Sequence, residues 1–183
     1  MKFRNPWFTI VLCLGAALPG RATDFVQARI DGLTNTGDVM AYVLPMAAAG
    51  LTAYFRDEEG AWQLGESVAI TMAATVGLKY SVSARRPNGD PHSFPSGHAA
   101  ITFSSAEFMR KRYGWHYGAP AYLLAALVGA SRVRAHKHYV RDVVGGATIG
   151  FVTTYFVTTP YHGWHFTPTL AGRNRGLKLS RHF

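Results

Sequence analysis

Three short runs hold the side chains with chemistry to offer. Lys79 is followed by six residues and then Arg86-Pro87; Pro95-Ser96-Gly97-His98 comes next; Ser131-Arg132 leads to His138 and Asp142 in His-x-x-x-Asp spacing. The first run supplies two cations, the second a hydroxyl and an imidazole at a turn, and the third a guanidinium and an imidazole four residues ahead of a carboxylate. A neutral imidazole steadied by a carboxylate is a nucleophile near pH 7, and a second imidazole can protonate a leaving oxygen and then activate water. Fixed cations and free backbone N–H groups stabilise the oxygens around a phosphorus under attack. Such a set can displace phosphorus without a metal, so no cofactor is expected.

In that chemistry His138 is the nucleophile, on a helix beginning near it, and Asp142 fixes its tautomer and steadies the charge that develops. His98 is the acid and then the base. Lys79, Arg86 and Arg132 surround the phosphoryl oxygens, with the Ser96 hydroxyl and the Gly97 amide at a helix start. Taken singly, each residue has a plainer reading. A lone Lys or Arg at a helix end is solvated or complements the dipole, Ser96 is an N-cap, and Gly97 is a turn residue. Zinc held by His98, His136, His138 and Asp142 is opposed by the surrounding cations, which would repel the ion and attract a phosphate. Arg85, Arg134, His136, Lys137 and Arg141 lie outside the three runs and add general positive potential. Gly145 and Gly146 fit close helix packing.

In order and spacing the three runs resemble the motifs of the type-2 phosphatidic acid phosphatase superfamily, which also includes bacterial class A acid phosphatases and vanadium haloperoxidases. The resemblance covers residues 79–142 and the helical segments around them. It implies a phosphatase working through a phosphohistidine on a phosphomonoester or diphosphate of a membrane lipid. Residues 88–94 leave no room for an inserted lid between Pro87 and the second run, which suits a bulky substrate. Three other readings use the same residues: a soluble periplasmic acid phosphatase on small monoesters, a vanadium haloperoxidase with His138 on the metal oxyanion, and a noncatalytic binder of phosphorylated lipid. The last would not need His98, His138 and Asp142.

The elements that must position these residues are read as helices. Segments 39–55, 68–78, 99–109, 119–130 and 143–159 are apolar without alternation, and with the N-terminal run 6–18 they predict an all-α bundle of about five or six helices. Residues 1–22 have the build of a signal peptide or a first membrane helix, 23–160 form the helical domain, and 161–183 a basic tail. Threading six crossings from a cytoplasmic N-terminus puts all three runs on the outer, periplasmic face of a bacterial inner membrane. Lys2, Arg4, Arg110-Lys111-Arg112 and the tail then lie inside, and Trp7, Trp62, Trp115 and Trp164 lie near the inner interface. Short segments, Glu66, Glu107 and a mean hydropathy of +0.02 favour instead a soluble bundle behind a cleaved signal. The expected partners are a phosphorylated lipid and the membrane. The net charge of +9 is spread between the motif region and the tail, which does not point to nucleic acid. Cys13, the only cysteine, excludes an intramolecular disulfide.

Overall fold

Each outer helix of the bundle carries one narrow stripe of small, apolar and hydroxyl residues, and the stripes converge on a helix buried on all sides. The computed structural model describes residues 19–161, 163–169 and 176–182. Residues 1–18, with most of the expected signal and Cys13, lie outside the described residues. The helices are α1 Pro19–Tyr54, α2 Glu58–Ser81, α3 Gly97–Tyr113, α4 Trp115–Arg134 and α5 Val140–Val157. All five expected segments in this range are found, extended by polar turns and caps that an apolar pattern does not reveal. α1 begins at Pro19 and passes through residue 22 without a break.

The stripe of α2 runs Gly60, Leu64, Ser67, Thr71, Thr75 at three- and four-residue steps, and one more step reaches Lys79. That of α4 is Gly118, Ala121, Ala125, Val128 and Arg132, and that of α5 is Asp142, Gly146, Gly150 and Thr154. α1 contributes Gly37, Ala41, Leu44 and Ala48. Three of the stripes therefore end in a residue of the motifs. α3 touches the other four helices, while α1 against α2 and α4 against α5 meet least, which leaves two seams.

The tightest contact is α5 on α3. A Cβ on Gly146 would lie 2.3 Å from the Ser96 carbonyl oxygen, and one on Gly150 would lie 2.1 Å from that of Ala100. Bare backbone is therefore the only surface that fits, and Ser104 bonds Thr154 across the same interface at 2.7 Å. Gly145 faces the Phe94 ring, where a Cβ would come within 2.4 Å. Close packing expected of this pair thus extends one turn further, to Gly150. Apolar packing of Leu44, Leu64, Phe108, Met109, Ala121 and Ala125 fills the other end.

That end also holds two ion pairs. Arg112 donates to both oxygens of Asp57 at 2.5 and 2.7 Å, and Tyr113 and the Gly60 amide add to the same carboxylate. Fully buried Glu107 accepts from Arg110 at 2.6 and 2.5 Å and from the Tyr122 hydroxyl at 2.5 Å. The Arg110-Lys111-Arg112 cluster, expected as an inner-face charge patch, thus spends its two guanidiniums on internal carboxylates. Lys111 bonds the Tyr155 carbonyl. Trp62 and Trp115 are exposed on this same side, near the starts of α2 and α4.

No described helix is long and apolar enough to cross a membrane. The six-crossing threading therefore finds no span among the described helices, because hydroxyl and charged residues interrupt each of them. The tail departs from an all-helical reading: β1 Gly163–Thr169 pairs antiparallel with β2 Gly176–His182, Trp164 opposite Arg181 and Phe166 opposite Leu179. Aromatic and apolar residues alternate with polar ones in both segments, a period of two that suits a hairpin.

Because backbone, not a movable side chain, opposes Gly150, Gly150→Val is expected to cost at least the ~1–3 kcal/mol typical of overpacking. A lowered denaturation midpoint against wild type checks this, with Gly65→Ala, exposed inside α2 with nothing within 4 Å, as a control that should hold or raise the midpoint.

Candidate functional site

Where the stripes end, the second and third runs are tied together by Asp142. Its backbone carbonyl accepts from the Ser96 amide at 2.9 Å. Its Oδ2 accepts from the Ser93 hydroxyl at 2.5 Å and from the Tyr139 amide at 2.9 Å. As the N3 residue of α5 it also caps that helix. Lys79 donates to the carbonyls of His92 at 3.1 Å and Pro95 at 2.9 Å, which joins the first run to the second. The His138 amide bonds the Arg132 carbonyl at 3.2 Å, so a tight turn links those two side chains.

A cavity of about 530 Å³ opens at this end, lined by Lys79, Arg86, Gly97, His98, Arg132 and His138. These six of the eight sequence-derived residues meet around one space. Ser96 and Asp142, both fully buried, stand behind its wall. Ser96 is the N-cap of α3, its hydroxyl accepting from the Ala99 amide at 3.4 Å. Gly97 leaves room beside the cavity, since a Cβ there would meet only Thr75 Cγ2 at 3.9 Å. Among Arg85, Arg134, His136, Lys137 and Arg141, Lys137 reaches the cavity lining.

The His138–Asp142 pair differs from expectation. His138 precedes the N-cap Tyr139 and is not on the helix, so Nδ1 stands 3.8 Å from Asp142 Oδ2, beyond hydrogen-bond reach. Asp142 has committed Oδ2 to Ser93 and Tyr139. His138 Nδ1, Asp142 Oδ1 and Arg86 Nε are buried without a hydrogen-bond partner among the described residues. Asp142 therefore acts on the ring through its charge and by fixing the turn.

The electrostatics follow from burial and crowding of like charge. Burial first, then Arg86 and Lys79, push His138 down to about 4, against the opposite pull of Asp142 and the Ser93 backbone. Burial and Arg86 likewise lower Lys79, with Asp142 opposing. His98 is held below its ordinary value by burial and by Arg132, with Asp38 pulling the other way. At neutral pH the cavity thus presents a neutral imidazole beside several cations, a charge pattern that attracts an anion.

Sequence reasoning missed three contributors. Asp38 of α1 binds both His98 and Arg132, Gly37 lets α1 approach them, and Ser93 holds Asp142. Asp38 lay one residue ahead of an apolar segment and Ser93 inside a loop without periodicity. The only available signal was a small residue next to an acid at a segment start.

Known proteins resemble this chain in sequence and fold. A family model described as the PAP2 superfamily matches residues 60–165. The chain is 30% identical over 158 residues to a lipid A 4'-phosphatase of Helicobacter pylori, covering 79% of each. It is 31% identical over 136 residues to a lipid A 1-phosphatase of Porphyromonas gingivalis, covering 69% of this chain and 29% of that longer protein. Among solved structures, Aquifex aeolicus LpxE aligns with a TM-score of 0.58 at 22% identity, over 78% of this chain and 88% of that one. A Bacillus subtilis transmembrane PAP2-type phosphatidylglycerolphosphate phosphatase aligns with a TM-score of 0.55 at 22% identity, over 82% and 90%. At that identity the likeness is one of fold.

Ring titration by NMR tests the electrostatics directly. His138 is expected to stay neutral down to about pH 4. Arg86→Leu, which removes a repelling charge, should raise that value. An ordinary midpoint near 6.5 for wild-type His138 would contradict this account of the site.

Proposed function

The chain belongs to the PAP2 superfamily and is a phosphatase, and we propose that it removes a phosphate from a membrane lipid through a phosphohistidine on His138. The observation that carries this reading is the neutral, buried imidazole at the wall of a cavity ringed by Lys79, Arg86 and Arg132. In the first half-reaction the ring nitrogen facing the cavity attacks phosphorus, the bond to the leaving oxygen breaks, and His98 gives that oxygen a proton. In the second, His98 takes a proton from water, the water oxygen bonds to phosphorus, and the phosphorus–nitrogen bond breaks. Lys79, Arg86 and Arg132 stabilise the equatorial oxygens as charge gathers on them, and the amides at the start of α3 add to the same field. Asp142 opposes the cations as His138 becomes positive.

A phosphorylated lipid is the substrate class that best matches the surroundings. Ala41 and Tyr42 of α1, Met72 of α2 and Ile101 of α3 line the same cavity, so an apolar body can lie beside an anionic head. The outer faces of the helices expose Val39, Met46, Leu123, Leu127, Val144 and Phe156, more apolar surface than a soluble monomer ordinarily leaves uncovered. Together with the relative at 30% identity, this supports a phosphate of lipid A in a membrane as the substrate, and the reading sets the enzyme at a bacterial inner membrane with its catalytic end toward the periplasm.

Phosphate release from lipid A and from a short-chain phosphatidic acid in detergent micelles, with and without EDTA, is the direct test. Activity is expected to survive chelation and to be blocked by vanadate, which takes the five-coordinate shape of the transition state. His138→Ala should lose about a thousandfold or more and trap no labelled phosphate, and His98→Ala should lose about 10²–10⁴-fold. Because the nucleophile must be neutral, kcat/KM falls as pH drops through about 4. Because the acid must be protonated, it also falls as pH rises through a His98 value below the ordinary one. The optimum is therefore acidic. Labelled phosphate on His138→Ala, or full loss in EDTA restored by a metal, would overturn the reading.

A further inference from the structure

Asp38 lies in none of the three runs, yet its carboxylate sits inside the catalytic cavity. One oxygen, Oδ1, is 2.9 Å from His98 Nε2 and 2.5 Å from Arg132 Nη1. Arg132 is almost wholly buried, whereas His98 and Asp38 stay partly open to the cavity. The guanidinium therefore clamps the carboxylate, and the carboxylate orients the imidazole.

The approach of α1 is built for this contact. Gly37, one residue earlier, is buried against the same partners, and a Cβ there would lie 2.2 Å from both Arg132 Nη2 and Ser131 Oγ. A Cβ there would have to displace both side chains, so the glycine favours the close approach of α1 to the end of α4 that delivers Asp38 to His98. An incidental surface ion pair would need no such accommodation.

We infer that Asp38 is the positioning residue of the acid–base step, binding His98 through Nε2 so that Nδ1 exchanges the proton with the leaving oxygen and then with water. This rests on the phosphatase reading above and deepens it. The reaction needs a proton donor that stays loaded in a strongly positive cavity. The groups facing His98 are Lys79 from α2, Arg132 from α4, and Arg86, Lys137 and His138 from the loops, with Asp142 of α5 behind His138. Arg132 and Lys79 disfavour the imidazolium, as does burial, and Asp38 is the group that favours it. In the first half-reaction the proton passes from Nδ1 to the departing oxygen as its bond to phosphorus breaks. In the second, Nδ1 takes a proton from water as the oxygen–phosphorus bond forms.

The leaving group separates this role from simple scaffolding. A p-nitrophenolate departs without a proton, whereas an alkoxide needs one. Purified wild type, Asp38→Asn, Asp38→Glu, His98→Gln and the Asp38→Asn/His98→Gln double variant are assayed for kcat/KM on p-nitrophenyl phosphate and on a short-chain phosphatidic acid. Asp38→Asn should lower the phosphatidic acid to nitrophenyl ratio by about tenfold or more, within the range of one acid–base contribution. Its alkaline limb should move to lower pH, since loss of the carboxylate weakens His98's hold on its proton. Asp38→Glu should restore part of the ratio, and Asp38→Asn should cost nothing further once His98 is Gln. Equal losses on both esters with an unmoved pH profile, or an undiminished loss in the His98→Gln background, would overturn the inference while leaving the phosphatase reading intact. Should wild type hydrolyse neither ester, or His138→Ala remain active, the reading of the site falls and takes the role of Asp38 with it.

Discussion

The site depends on how Asp142 is spent. Its backbone carbonyl, its carboxylate Oδ2 and its place on α5 serve four neighbours: the Ser96 amide, the Ser93 hydroxyl, the Tyr139 amide and, through charge alone, His138. The first two hold the loop before α3 and the third holds the turn before α5. Oδ2, the carboxylate oxygen that faces His138 Nδ1, is already shared between Ser93 and Tyr139. The structure keeps the scaffold bonds and lets the ring feel Asp142 at 3.8 Å. This works only because α5 lies directly on the backbone of α3 at Gly146 and Gly150, which brings Asp142 within reach of the chain before α3.

The same helix–helix contact explains why so many polar groups are tolerated inside a bundle of this size. Thr71, Thr102, Ser104, Ser105 and Thr154 are fully buried. Their hydroxyls return to helix carbonyls or meet another hydroxyl across a helix interface, as Thr71 of α2 meets Thr153 of α5 and Ser104 of α3 meets Thr154 of α5. Satisfied hydroxyls are small enough to let backbones approach and cost little when paired. Larger apolar residues on those stripes would separate the helices and pull Lys79, Arg132 and Asp142 away from one another.

Much of this was legible in the sequence, because chemistry and helix content both leave local traces. Lys79, Arg86, Gly97, His98, Arg132 and His138 stand in short runs, and they meet around one cavity. The five segments stood out as apolar stretches without alternation. What was not legible depends on partners distant in the chain. Asp38 acquires its meaning only when Gly37 lets α1 cross Arg132, a contact 94 residues apart. Arg110 and Arg112 look like a surface cluster until Glu107, Tyr122 and Asp57 are found beside them. The position of His138 outside α5 depends on which residue takes the N-cap, and a four-residue spacing does not decide that.

The two ends of the bundle treat charge in opposite ways, and the contrast bears on function. At the far end, each buried guanidinium is matched to a carboxylate with near-ideal geometry, which is what a charge out of water requires if it has no other task. At the cavity end, Lys79, Arg86 and Arg132 share one space, Asp142 is taken up by scaffold bonds, and one oxygen of Asp38 serves both Arg132 and His98. Burial and mutual repulsion lower Lys79 and His138 together, so the crowded cations carry an electrostatic cost that a bound anion would relieve. A sequence that matches each guanidinium at one end and crowds three cations around a cavity at the other has concentrated positive charge where an anion is attracted. The +9 net charge of the chain is therefore informative through its distribution, not its size.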